Sequence, residues 1–447
     1  MKPAHYIRHL ALAGLALLAI SATVSYAQNS DQVWGYKVKP GDRLVDIAKA
    51  YQKSPEDWKK LQEKNAVPDP KRLQPGKQLN IPVPDLRQGD PTAEAVLVHG
   101  DVQRLDKAGQ AASKLSSGDI LKMGDTVQTG ARSTVTIRFA DDSRMLVTEK
   151  SKVNLSSLVN YGKTGMADTK VRVLEGGTDS QVSPQKGPVA KYEINTPAIN
   201  LAVRGTGFRV QVEGASGSTR TEVVEGRVQG NSGPSEASIA GGFGLIAEPG
   251  KPLGTPRQLL PMPQLLASPS VVGKLPVKFG WTPLEGAQRY RLQLLAKVQD
   301  YEALVVEELV ENTRVQWNDL PDGDYSIRVR GVDATGLEGA NAVKAFQLVT
   351  RPEPPVLSFP LGDYRSANGR VSFRWEPAPE AEKFVLQLAQ DANFTRMVAV
   401  VPQISKATTG VLLSLPPGDY HWRVASISAT GKVGPFSDAI AFAITTP

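Results

Sequence analysis

The chain has 447 residues, 40% apolar and 22% charged, with 40 Gly, 33 Pro, 6% aromatic residues and no Cys. At roughly 100–200 residues per domain this length predicts two to four domains, and the Gly and Pro content favours short strands and turns over long helices. The missing Cys excludes disulfides, thiolate metal ligands, thiol nucleophiles and cysteine-linked lipid anchors, and a formal charge of +7 is too small to argue for nucleic acid.

Residues 1–27 read as a signal peptide for export. Lys2 and Arg8 form a basic start, Leu10 to Ile20 an apolar run, and Ser25-Tyr26-Ala27 a cleavage site before Gln28. The run is eleven residues, well short of the ~20 that span a bilayer as a helix. The expected mature chain begins at Gln28, lies in the periplasm or cell envelope, and has no transmembrane helix. Losing Lys2 and Arg8 leaves a net charge of +5.

Residues 34–84 carry eleven Lys/Arg and six Asp/Glu, a net of +5 that matches the whole surplus of the mature chain. Tyr36 and Val38 alternate before the turn Pro40-Gly41-Asp42, and Leu44, Ile47, Ala48 and Tyr51 recur at helical spacing. Ser54-Pro55-Glu56-Asp57 predicts a second helix with Ser54 as its N-cap. Leu73-Gln74-Pro75-Gly76 then turns the chain into Gln78-Leu79-Asn80-Ile81-Pro82.

The string Tyr36-x-Val38-x-x-Gly41-Asp42-x-Leu44-x-x-Ile47-Ala48, then Asn65, then Leu73-x-Pro75-Gly76-x-x-Leu79-x-Ile81-Pro82 resembles a LysM domain. The resemblance implies a βααβ unit that binds N-acetylglucosamine-containing glycans such as peptidoglycan. It places the glycan groove between two loops, with Gly41, Asp42, Arg43 and Leu44 on one side and Leu73, Gln74 and Pro75 on the other. Tight-turn backbone groups can read acetamido groups while apolar edges cover sugar faces. Gly41, Pro75 and Gly76 are better explained as turn residues that touch no ligand of their own. One small groove predicts a dissociation constant of roughly 10 µM to 1 mM, and a repetitive polymer raises retention through rebinding.

After a polar stretch around Pro84–Pro91, residues 95–248 read as short alternating strands separated by Gly or Asp pairs such as Gly124-Asp125 and Asp141-Asp142. Gly124-Asp125-x-x-x-Thr129-Gly130-x-x-Ser133, Phe139-x-Asp141-Asp142-Ser143, Asn195-Thr196-Pro197-Ala198, Val203-Arg204-Gly205-Thr206-x-Phe208-x-Val210 and Val224-Glu225-Gly226-x-Val228 resemble the FecR domain of bacterial envelope regulators. Asp142 stands where that family has Gly, and an Asp tolerates such a turn. The resemblance implies a β-rich roll or solenoid and an envelope protein partner. Direct control of a sigma factor is in doubt, because a signal peptide and a LysM-like module stand where the cytoplasmic part would be. Arg204 is expected to be structural more than ligand-binding.

Residues 249–270 read as a Pro/Gly-rich linker. Residues 271–350 and 353–447 are a duplication. Val277-Lys278-Phe279-Gly280-Trp281 matches Val371-Ser372-Phe373-Arg374-Trp375, and Leu320-Pro321-x-Gly323-Asp324-Tyr325 matches Leu415-Pro416-x-Gly418-Asp419-Tyr420. In the first copy Tyr325, Ile327 and Val329 are expected to face the core, and Ser326, Arg328 and Arg330 the solvent. A strand Trp with a later Tyr after Leu-Pro-x-Gly resembles a fibronectin type III module, the Tyr in the corner position.

Tests for catalysis return negatives. After export only His99 and His421 remain, and no His pair has metal-ligand spacing. There is no Gly-x-Ser-x-Gly elbow, and Gly162-Lys163-Thr164 lacks the first Gly of a phosphate-binding loop. The expected whole is a mainly β multidomain protein: a LysM module, a FecR-like β domain and two β-sandwiches. Its expected role is non-catalytic peptidoglycan binding, with no cofactor, no metal and no nucleic acid. The alternative is a periplasmic signalling component that relays to a separate membrane regulator.

Overall fold

The computed structural model describes residues 32–106, 109–406 and 410–445. The expected signal peptide lies outside the described residues. Within them the chain is mainly strand, and no helix is long and apolar enough to cross a membrane. Two compact units form. The first joins the chain through Pro91 to residues 157–169 and 184–192; the second holds residues 92–156, 170–183 and 193 onward.

The first unit contains the βααβ pattern. Val33–Lys37 pairs antiparallel with Gln78–Pro82, Tyr36 facing Leu79 and Trp34 facing Ile81. Leu44–Tyr51 and Trp58–Lys64 are the helices. The second starts later than its sequence suggests, because Pro55–Asp57 forms a single 3₁₀ turn and Ser54 makes no capping hydrogen bond. Leu44, Ile47, Leu61, Leu79 and Ile81 are buried together, each contributing about 1.5–3 kcal/mol. This core is not self-contained. Tyr161, Met166 and Val189, from the two later segments, are buried in the same cluster.

In the second unit the FecR-like strands stack in two layers. One runs Asp119–Lys122, Thr92–His99, Thr134–Arg138, Arg144–Val147, Ala167–Gln181, Gly207–Val212, Thr219–Glu225 and Phe243–Ala247, each antiparallel to the next. The other contains Val102–Leu105 beside Thr126–Thr129, which pairs Lys152–Asn160, and Asn200–Val203 beside Arg227–Ser232. The FecR-like motif residues hold turns. Thr129 Oγ1 donates to the Thr148 carbonyl at 2.6 Å, Ser143 Oγ donates to Asp141 at 2.8 Å, and Asp142 has φ 64°. Arg204 is exposed on a turn.

The stretch read as a linker follows the first sandwich closely. Arg257–Gln258 pairs Phe243 and Gly244, Ala340 N–H donates to the Leu260 carbonyl at 2.9 Å, and Leu266 N–H to that of Gly280 at 2.9 Å. Its half-buried leucines, Leu259, Leu260 and Leu265, explain why a Pro/Gly-rich segment stays attached. The sandwiches then repeat one plan. Arg289–Val298 lies between Tyr301–Val310 and Gly323–Val332, as Lys383–Ala389 lies between Met397–Ser405 and Gly418–Ile427. Tyr325 donates to the Pro321 carbonyl at 2.8 Å and Tyr420 to that of Pro416 at 2.9 Å, so both corner tyrosines close as expected.

Asp322 fastens one sandwich to the next. It accepts from Lys432 at 2.8 Å, from Thr350 N–H and Oγ1 at 2.7 Å, and from Arg351 N–H at 3.1 Å. Burial alone would raise its pKa, but the hydrogen bonds from Lys432 and Thr350 prevail and hold it at about 2. A depressed carboxylate stabilises the fold above its ordinary value and loses that contribution as pH falls toward about 2. Asp322→Asn should cost about 1 kcal/mol at neutral pH and much less near pH 2; urea unfolding at both pH values checks this.

Candidate glycan groove and a buried charge cluster

The loop after the first strand and the loop before the second are joined by backbone. Leu44 N–H donates to the Pro70 carbonyl at 2.9 Å, Gly76 N–H to Val38 at 2.8 Å, and Val38 N–H to Lys77 at 2.9 Å. Gly41 and Gly76 sit at φ +86° and +87°, where a side chain is strained, and the space where each Cβ would stand is empty to 4 Å. Both turns therefore present bare backbone to solvent.

The predicted groove residues separate into three kinds. Asp42 is a turn staple: its carboxylate accepts from Tyr36 Oη and Lys39 N–H, both at 2.7 Å. Burial, and then that bond to Asp42, push the Tyr36 phenol well above the ordinary tyrosine range. Arg43 is exposed and paired with Asp46 at 2.6 Å, Gln74 and Pro75 are exposed, and Leu73 is half-buried. Leu44 departs from the expectation. Its side chain is fully buried and its N–H is already spent on Pro70, so it supports the turn from beneath.

The other end of this unit is closed by aromatic packing. Trp34, Tyr36 and Tyr51 lie within 5.0–5.8 Å of one another, and Trp34 reaches Gly187 of the inserted segment. Tyr161 and Val189 complete that cover. Lysines and arginines of the unit stay mostly on the surface.

Sequence reasoning missed a second site, inside the second unit. Asp179, Arg209 and Glu222 stand side by side on three neighbouring strands and face the first sandwich. Arg209 is 3.5 Å from Glu222 and donates through Nη2 to the carbonyls of Glu338 and Gly339, both at 2.8 Å. Glu338 in turn accepts from Arg330 at 2.5 Å and Arg291 at 2.9 Å. Gln293 joins Arg330 to Glu307 at 3.0 and 2.7 Å. Arg330, expected on a solvent face, is 4% exposed because the FecR-like layer covers it. No sequence signal marks a polar strand face as covered.

Burial pushes Glu222 above the ordinary carboxylate range despite Arg209. Burial also acts upward on Glu338, but Arg330, Arg291 and Arg209 pull it well below that range. The cluster sets Arg209, Arg220, Arg291 and Arg330 against Glu222, Glu338, Glu307 and Asp179, and Glu222 is the most buried of the four acids. Among the described residues no group of His, Cys, Asp and Glu could hold a metal ion.

Comparison with known proteins agrees with the two motif-based readings. Residues 36–82 match the family model described as LysM domain, and residues 125–229 match the one described as FecR protein. The chain carries both. These are binding and signalling families, the first tied to peptidoglycan and the second to the cell envelope. An uncharacterized protein of Treponema pallidum (strain Nichols) is 29% identical over 182 residues, covering 38% of this chain and 27% of that protein. The chain thus spans about a quarter of that relative's length. Among solved structures, a candidate anti-sigma factor from Parabacteroides distasonis is 12% identical, with TM-score 0.26, over 30% of this chain and 59% of that chain. A two-domain fibronectin type III segment of chicken tenascin is 17% identical, with TM-score 0.20, over 41% and 99%.

Removing Arg209 strands a buried carboxylate and two loop carbonyls. Arg209→Met should therefore cost about 3–5 kcal/mol. An acid whose pKa is raised on folding makes the fold less stable as pH climbs from the ordinary carboxylate value through the raised one. Glu222→Gln should flatten that decline between mildly acidic and neutral pH, read from thermal unfolding across the range.

Proposed function

We propose that the chain is an exported, non-catalytic, peptidoglycan-binding protein of the cell envelope. Its LysM module anchors it through the groove of Gly41, Asp42, Arg43, Leu44, Leu73, Gln74 and Pro75. Residues 34–84 form the anchor, 95–248 the recognition domain, and 271–350 and 353–447 the sandwiches that extend it. The observation that carries this reading is the pair of bare glycine turns, held in register by the Leu44–Pro70 and Gly76–Val38 hydrogen bonds. Exposed turn backbone at fixed spacing suits an acetamido sugar, and half-buried Leu73 offers an apolar edge. Export through a cleaved segment ending at Ala27 would bring the module to its polymer.

The match of residues 125–229 to the FecR family favours a second reading, in which the chain is a periplasmic component relaying a signal to a separate membrane regulator. Anchoring and relay are compatible, since the first is assigned to residues 34–84 and the second to residues 95–248.

Co-sedimentation of the full chain with purified peptidoglycan tests the anchor. Deleting residues 34–84 would uncover Tyr161, Met166 and Val189, so point variants are the cleaner comparison. Gln74→Ala and Gly41→Val should each lower retention by about tenfold while far-UV circular dichroism stays unchanged. Retention equal to the native chain in both would reject the groove; no retention of the native chain would leave the signalling reading alone.

A further inference from the structure

The two sandwiches are copies whose matching faces have diverged in charge. Strand pairing sets the equivalence. Arg291 opposite Arg330 corresponds to Val385 opposite Ala425, and Gln293 opposite Glu307 to Gln387 opposite Val400. The Val332–Glu338 bridge corresponds to the pairing of Ile427 with Val433. Four charged residues that the first copy turns toward the FecR-like layer are thus Val, Val, Ala and Val in the second. Val400 and Val433 are 51% and 47% exposed.

Arg423 holds the middle of the second face, with Lys383 at its end bonded to Gln403. Arg423, opposite Gln387 as Arg328 is opposite Gln293, donates through Nε and Nη2 to Gln387 Oε1 at 2.9 and 2.7 Å. Its guanidinium lies 3.9 Å from the centre of the Phe394 ring and 4.4 Å from that of Phe436. Arg328 is paired with Glu302, whereas among the described residues no carboxylate pairs with Arg423. Nη1 and one Nη2 hydrogen are left for an acceptor. An arginine immobilised by two aromatic rings, on a face that exposes Val400 and Val433, has the make-up of an interface anchor.

We propose that this face of the second sandwich docks a different protein, through a surface of apolar side chains around one Asp or Glu carboxylate that Arg423 receives. Charge excludes the nearer occupants. A second copy laying the same face down would bring Arg423 against Arg423. A FecR-like layer like the one on the first copy presents Asp179, Arg209 and Glu222, which valines would leave unpaired.

The probe is a pair of fluorescein-labelled, amphipathic Leu/Val peptides of twelve residues, one with a single central Glu and its twin with Gln, titrated by anisotropy against the full chain. The Glu peptide should bind about tenfold tighter than its twin. That preference should vanish in Arg423→Gln and in Val400→Glu, which restores the acid of the first copy beside Gln387 and repels an incoming carboxylate. Val400 is exposed, so the second variant keeps the test valid if the first unfolds. Equal binding of the two peptides, no saturation by about 1 mM, or a preference that survives Val400→Glu in the folded chain overturns the proposal. So does sedimentation of the native chain as a dimer that Arg423→Gln or Val400→Glu disperses.

Discussion

Arg209 is held between two parts of the second unit, and their rigid relation rests on it. One side of its guanidinium meets Glu222 on the neighbouring strand; the other caps the carbonyls of Glu338 and Gly339 on a loop of the first sandwich. The loop is itself pre-folded, since Asp333 accepts from the N–H groups of Thr335 and Leu337 at 2.7 and 3.0 Å. Charges buried in this way gain little net energy over an apolar interface of the same shape. What they gain is exclusivity: any shift of the layer against the sandwich leaves a buried charge unpaired. Asp322 extends the same logic to the second sandwich with a less buried and cheaper contact.

That constraint separates what was legible in the sequence from what was not. Local chemistry was legible. Gly41, Gly76 and the alternating Tyr36-x-Val38 follow from turn and strand geometry, and Leu-Pro-x-Gly-Asp-Tyr specifies a corner in each sandwich. Asp142 adopts the left-handed turn expected of it. The hidden features are tertiary. Ser326, Arg328 and Arg330 alternate like any solvent-facing strand, and period-two patterning carries no mark of a domain lying on top. Residues 249–270 have a linker's composition, yet three half-buried leucines suffice to hold them down. Tyr161, Met166 and Val189 join a core about a hundred residues earlier in the chain, a separation at which no periodicity connects them.

The shared core also changes what the small module is. A unit of about fifty residues buries too little surface to be robust alone. Here the aromatic trio Trp34, Tyr36 and Tyr51 is covered by segments that the later domain supplies. They close the end of the strand pair remote from the glycine turns, so the module gains core without losing its open face. In the groove itself the side chains with hydrogen-bonding power are largely committed: Asp42 to Tyr36 and Lys39, Arg43 to Asp46. In the proposed reading, recognition there falls to the backbone and the exposed Gln74 side chain, which suits a small acetamido group more than a ligand read by charge.

Duplication gave the chain two sandwiches with the same core and the same corner, and their outer faces then followed opposite physical rules. The first face is charged and closed, because each arginine has an acid and the FecR-like layer excludes water from them. The second is largely apolar, with Val400 and Val433 exposed and Ala425 covered, and with one arginine fixed by a glutamine and two phenylalanines. Valines where the first copy has acids are not what solvent exposure alone selects, since exposed strands of this kind are normally protected by charge. The retained cation makes sense only against a counter-charge from outside the described residues, and the surrounding valines require that it arrive with apolar company.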